Sequence, residues 1–171
     1  MLKKKLGQIK LLLLDVDGIL TDGKITYTEN GKEIKNFDSK DGLGLKLLME
    51  SGVKVGIITG RKSKALTARC KNLGINIIFD NIKNKIKALD TILKETGIST
   101  ENTAFAGDDL PDLCVMKKVG LSITVSDACS DVIKEADIVI PQRGGKGAVR
   151  QICEDILKAK NLWSNIISGF L

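Results

Sequence analysis

The 171-residue chain contains no histidine. That absence removes Ser–His–Asp and Cys–His nucleophilic machinery, and with it any His-ligated zinc or iron site. Two prolines are too few for a long proline-rich linker. One Trp, one Tyr and four Phe leave little material for the stacking platforms that hold single-stranded nucleic acid. The four cysteines, Cys70, Cys114, Cys129 and Cys153, form no CxxC pair. They are expected to be reduced thiols in a cytoplasmic protein. Lys3, Lys4 and Lys5 followed by Leu11 to Leu14 imitate a signal peptide. The apolar run stops at Asp15 and Asp17, no small-residue cleavage site follows, and the run is too short to span a bilayer. It reads as a buried strand with a basic lead-in, and no membrane partner is expected.

What remains is ordinary globular material, 43% hydrophobic and 28% charged. The length favours one domain over residues 1–171, which buries roughly 70% of its unfolded surface without staples. The net charge of +6 suits small anionic ligands. Nucleic-acid binding would rest on that charge alone and is not expected.

Residues 11–16, apolar but for Asp15, have the pattern of a central parallel strand covered on both faces. Strand-like runs at 24–28 and 33–37 flank Asn30-Gly31, a strong hairpin signal. Residues 42–50 read as a helix with Leu43, Leu47 and Leu48 on its apolar face. Strands at 53–59, 75–79, 103–106, 121–125 and 138–140 then alternate with helices at 63–72, 84–95, 110–117, 130–135 and 147–160. This alternation predicts an α/β fold, a Rossmann-like doubly wound parallel sheet with right-handed crossovers. The hairpin, at about 24–37, is an insertion after strand 1. Apolar residues in the tail, about 161–171, dock either on this domain or on a neighbour.

The polar residues at the strand ends carry the chemistry. Asp15 and Asp17 end the first strand; Thr59, Gly60 and Arg61 end the next; Asp108, Asp109 and Asp112 follow the strand at 103–106. In open parallel sheets the ligand crevice lies at these carboxyl ends, so the clusters converge. Gathered carboxylates repel one another unless a hard cation neutralises them, and an all-oxygen ligand set points to Mg²⁺. An aspartate beside Mg²⁺ can attack phosphorus, and a second one two residues on can handle the leaving-group proton. Thr59 and Lys85 suit the phosphoryl oxygens, where transition-state charge collects. Each element alone is bland: Asp-x-Asp is commonly a turn, and Gly107-Asp108-Asp109 could cap a helix. The ordered combination is far more specific.

That combination resembles the haloacid dehalogenase superfamily, through Asp15-Val16-Asp17-Gly18, Thr59, Lys85 and Gly107-Asp108-Asp109. The resemblance narrows to its capless branch of 3-deoxy-D-manno-octulosonate 8-phosphate phosphatases. The narrowing rests on residues 15–23, the hairpin, Lys40-Asp41-Gly42, residues 57–62 and residues 144–150. It implies Asp15 as nucleophile and metal ligand, Asp17 as general acid and base with its backbone carbonyl on the metal, and Asp108 as the remaining Mg²⁺ ligand. It implies Thr59 and Lys85 on the phosphoryl group, and substrate contacts from Gly60, Arg61, Asp41, Lys146 and Arg150. It further implies a sugar phosphate substrate, a role in lipopolysaccharide precursor synthesis, no cap domain, and a homotetramer assembled through the hairpins.

Three rival readings have distinguishing marks. A phosphatase for a nine-carbon sugar acid 9-phosphate shares the chemistry, but its relatives often place Glu where Arg61 stands. A signalling receiver domain has its acidic pair at the first strand and its phosphorylated aspartate at the third, the reverse of the order here. A non-catalytic binding or oligomerisation module does not need all four catalytic positions filled.

Overall fold

A computed structural model describes residues 2–171. Strand β1, Leu11–Leu14, is the centre of the molecule: all four leucines are buried, and β4 (Lys54–Ile58) and β6 (Thr103–Ala106) pair with it in parallel on either side. Adding β5 (Ile77–Phe79), β7 (Leu121–Val125) and β8 (Ile138–Ile140) gives an all-parallel six-stranded sheet in the order β5-β4-β1-β6-β7-β8. Without the hairpin strands this is the 3-2-1-4-5-6 order of a Rossmann fold, whose crevice opens where the winding reverses beside β1.

Strand side chains alternate between faces. Leu11 and Leu13 therefore join Leu89, Ile92, Phe105 and Val115 in one core, under α4 (Lys85–Thr96), α5 (Leu113–Met116) and α6 (Ser130–Glu135). Leu12 and Leu14 join Leu45, Leu48, Ile152 and Ile156 in the other, under α2 (Ser39–Glu50), α3 (Lys64–Leu73) and α7 (Ala148–Ala159). Each fully buried aliphatic contributes about 1.5–3 kcal/mol relative to exposure.

Four local readings need correction. The basic lead-in is a helix, α1 (Leu2–Gln8): Leu6 is buried against the main core, while Lys5 pairs with Asp137 at 3.0 Å. The hairpin strands shrink to β2 (Thr26–Tyr27) and β3 (Glu33–Ile34), because the remaining residues of the arms find no ladder partner within one chain. Leu43 is 41% exposed, because α2 turns Asp41, Gly42, Gly44, Leu45, Leu47 and Leu48 inward instead. The segment after β6 begins as a 3₁₀ turn, Leu110–Asp112, with Pro111 in its first turn and Asp109 and Asp112 capping it reciprocally. The tail forms α8 (Trp163–Ser168), whose Trp163 and Ile166 pack on this chain's own core while Phe170 and Leu171 stay exposed. The described residues contain no inserted cap and no helix long and apolar enough to cross a membrane.

Candidate active site

Asp15, Thr59 and Asp108 each sit one or two positions beyond a strand, on backbone still tied to the sheet. Asp15 follows β1 and donates its N–H to the Ala106 carbonyl at 2.9 Å. Thr59 follows β4 and donates to Phe79 at 2.9 Å. After β6, Gly107 donates to Ile123 at 3.2 Å, and its carbonyl accepts the Thr124 hydroxyl at 2.7 Å. Asp108 lies next, its carbonyl accepting the Cys129 N–H at 2.9 Å. The sheet thus delivers three polar groups to one rim, and Lys85 reaches them from the first turn of α4, whose N-cap is Asn84.

These groups line a single cleft of about 270 Å³. Asp15, Asp17, Thr59, Gly60, Arg61, Lys85 and Asp108 all stand on its wall, with Asp112 beside them. Lys85 is buried and its ammonium lies 2.6 Å from Asp112 Oδ1 and 2.9 Å from Asp15 Oδ1. The other Asp112 oxygen accepts the N–H groups of Asp108 and Asp109 at 3.0 and 3.3 Å, so one carboxylate fixes both the lysine and the acidic loop.

Carboxylate oxygens of Asp15, Asp108 and Asp112 lie within 4.8 Å of one another, against a single ammonium. Burial pushes the Asp15 carboxyl up to about 6, with Lys85 pulling it down and Asp112 pushing it up. Burial, then the charges of Asp15, Asp112 and Asp109, push Asp108 up to about 7. For Lys85, burial opposes the charge, but Asp15 and Asp112 outweigh it and raise the pKa. The cluster is therefore short of positive charge. Asp108 Oδ1 is buried with no hydrogen-bond partner. An all-oxygen group in that condition fits a hard divalent cation. The Asp17 side chain stands outside this group. Lys35 of the hairpin holds it, and Arg61 Nε lies 3.5 Å from its Oδ2.

A family model for haloacid dehalogenase-like hydrolases matches residues 74–152. Over 156 residues the chain is 46% identical to the 3-deoxy-D-manno-octulosonate 8-phosphate phosphatase of Escherichia coli K12, covering 91% of this chain and 83% of that one. The chain belongs to this phosphatase family. Two solved members superpose closely on it. The Moraxella catarrhalis enzyme, in complex with magnesium ion, phosphate ion and a KDO molecule, is 43% identical at a TM-score of 0.96, covering 99% of this chain and 97% of that one. The cobalt-bound Haemophilus influenzae enzyme is 40% identical at a TM-score of 0.93, covering 97% and 98%.

Within this octulosonate phosphatase chain, three residues singled out from the sequence lie off the cleft. Asp41 is buried and accepts the Arg150 N–H at 2.7 Å, capping α7; burial pushes its carboxyl up to about 6. The Arg150 side chain meets Glu154 at 2.7 Å and stacks 5.5 Å above the Trp163 ring. Lys146 lines a separate hollow of about 110 Å³ with Asp22, Lys24, Asp127 and Arg143. The Gly144-Gly145 backbone packs on the first-motif loop, where Gly145 donates to the Ile19 carbonyl at 3.0 Å.

Sequence reasoning placed Asp112 in the crevice without its role as clamp, and it missed three hairpin residues. Glu33 Oε2 lies 2.6 Å from Arg61 Nη2, Tyr27 Oη lies 3.4 Å from the same atom, and Lys35 bridges Asp17 and Glu33. The Tyr27 hydroxyl and Glu33 hold the Arg61 pKa high, and Arg61 with Lys35 holds that of Glu33 low. Hairpin composition gives no hint of this, because the partners come together only in the folded chain.

Proposed function

We propose that this chain is a Mg²⁺-dependent phosphatase that hydrolyses 3-deoxy-D-manno-octulosonate 8-phosphate to the free sugar acid and phosphate. The observation that carries the reading is the convergence of Asp15, Asp17, Thr59, Lys85, Asp108 and Asp112 on one cleft, in a chain 46% identical to an octulosonate phosphatase. Asp15 attacks the phosphorus, the bond to the sugar oxygen breaks, and Asp17 gives that oxygen its proton. A water then attacks the aspartyl phosphate, losing its proton to Asp17, and Asp15 is released with inorganic phosphate. Lys85 lies beside the nucleophile, keeps it ionised and, with the Thr59 hydroxyl, holds the phosphoryl oxygens. Asp15, Asp108 and the Asp17 carbonyl would hold Mg²⁺, with Asp112 at their side. When bound, the ion neutralises the carboxylates and the charge on the transferring group.

Arg61 and Gly60 at the cleft mouth contact the sugar. Asp41, Lys146 and Arg150, which lie off the cleft, contribute only through the shape of their segments or in an assembly. The exposed hairpin side chains Ile25, Tyr27 and Ile34 support a homotetramer assembled through the hairpins. The reaction belongs in the cytoplasm, where it supplies lipopolysaccharide precursor.

The test is Mg²⁺-dependent phosphate release from the eight-carbon ester, a nine-carbon sugar acid 9-phosphate and an aryl phosphate, with Asp15→Asn as control. Preference for the eight-carbon ester, abolished in the variant, is expected. Preference for the nine-carbon ester moves the substrate while keeping the mechanism, and an active Asp15→Asn enzyme overturns the nucleophile.

A further inference from the structure

Four charged side chains close a ring beside the cleft, two of them, Asp17 and Arg61, on its wall. Lys35 has a 2% exposed side chain and pairs with both Asp17 and Glu33, the latter at 3.0 Å. Glu33 pairs with Arg61 at 2.6 Å, and Arg61 Nε faces Asp17 at 3.5 Å. Two cations are matched by two carboxylates. One of those carboxylates, Asp17, belongs to the first motif. The other, Glu33, comes from the hairpin and has no part in the phosphoryl chemistry.

One detail shows that the match is imperfect. Arg61 Nε is buried without a hydrogen-bond partner, its nearest carboxylate oxygen being Asp17 Oδ2 at 3.5 Å. Buried charged groups left in that condition cost free energy, and a ligand that satisfies them recovers it. One guanidinium nitrogen, Arg61 Nη2, and the Lys35 ammonium converge on the two oxygens of one carboxylate, which is a carboxylate-binding geometry. Glu33 occupies it from within the chain.

Resting on the reading above, in which the substrate carries a carboxylate as well as a phosphate, we propose that Glu33 is an internal stand-in for the substrate carboxylate. Lys35 and Arg61 are its receptor, and a carboxylated phosphate ester displaces Glu33 from them. Lys35 is then a specificity residue, and it is also a positioning residue for Asp17. In the free chain the latch holds Arg61 and Lys35 in place beside the general acid. A phosphate ester without a carboxylate cannot replace Glu33, so the latch stays shut and the Lys35–Asp17 pair persists against proton delivery. The ring is thus a filter acting on leaving-group charge, separate from the groups that grip the phosphoryl end.

The experiment compares the full-length wild type with Glu33→Gln, Lys35→Met and Lys35→Arg. The readout is the ratio of kcat/KM for a carboxylated ester to that for an uncarboxylated one of similar size, using 6-phosphogluconate against glucose 6-phosphate alongside the octulosonate ester. Glu33→Gln keeps the side-chain shape but removes the competing charge, and is expected to lower KM for carboxylated esters several-fold. Lys35→Met is expected to shrink the ratio at least ten-fold, with Lys35→Arg restoring most of it. Opposite shifts of one ratio by two neighbouring residues are not the signature of a fold defect, which lowers both substrates together. The idea is overturned if both variants lower all esters equally, or if neither moves the ratio. A wild type that ignores the octulosonate ester but prefers 6-phosphogluconate keeps the latch and sinks the substrate assignment. A wild type selective for the octulosonate ester with ratios unmoved by the variants does the reverse.

Discussion

Replacing Gly18 with alanine tests the proposed placement of Asp108 at the metal. Gly18 has φ +85°, and a Cβ built there stands 1.9 Å from Asp108 Oδ2 and 2.4 Å from its Cγ. Two costs follow, and they differ in kind. The left-handed backbone conformation costs a non-glycine residue about 1–2 kcal/mol. In a chain of this length that lowers Tm by about 2–8 °C, leaving a folded protein. The contact is the larger effect. To clear the methyl the Asp108 carboxylate must retreat by at least about 1 Å, whereas metal–ligand distances are held within roughly 0.2 Å. A misplacement of that size costs on the order of 100-fold in rate. Gly18→Ala should therefore unfold at a slightly lower temperature and lose most turnover. The Tm rise produced by added Mg²⁺ should shrink strongly. Differential scanning fluorimetry across a Mg²⁺ titration, run beside phosphate release, reads both effects. A variant with wild-type Mg²⁺ response and turnover within three-fold would refute the placement of Asp108 at the metal.

Two further outcomes follow from buried charge. Lys85→Met leaves Asp15 and Asp112 facing each other without their ammonium, and removing one partner of a buried pair costs about 3–5 kcal/mol. Urea unfolding should show that loss, partly recovered in millimolar Mg²⁺; unchanged stability would sink the assignment. Asp41 has a pKa raised from 3.8 to about 6, so the folded protein binds its proton more tightly than the unfolded chain. Its contribution to stability therefore falls as pH rises from about 4 to 6, and above that the ionised carboxylate is a constant penalty of at most about 3 kcal/mol. Asp41→Asn keeps an oxygen for the Arg150 N–H and carries no charge. Its stability relative to wild type should climb between pH 4 and 6 and then level off, and a difference independent of pH would contradict the cause given.

The sheet was legible because its strands are apolar runs bounded by polar punctuation. Residues 103–106, 121–125 and 138–140 were read with the bounds they have in the structure. The cleft members at strand ends were legible for the same reason, since a parallel sheet gathers its carboxyl ends on one rim. The α1 helix was hidden because Lys3, Lys4 and Lys5 mask a pattern with one inward leucine, Leu6. Glu33 lies 28 residues from Arg61, and Asp41 lies 109 from the Arg150 N–H it caps. No spacing rule spans such distances, and an acidic residue bound for a helix cap looks the same in sequence as one bound for a ligand.

The attachment of Asp15, Thr59 and the Gly107-Asp108 segment to the last hydrogen-bonded rungs of strands has a hereditary consequence. Side chains alternate along a strand, so a one-residue insertion or deletion within β1 reverses the faces toward which Asp15 and Asp17 project. A length change at the opposite rim, where the helices return, alters neither face nor reach. Descendants of this chain are therefore free to lengthen, shorten or recharge the far loops. The five residues from Leu11 to Asp15 behave as a ruler whose graduations admit no half-step.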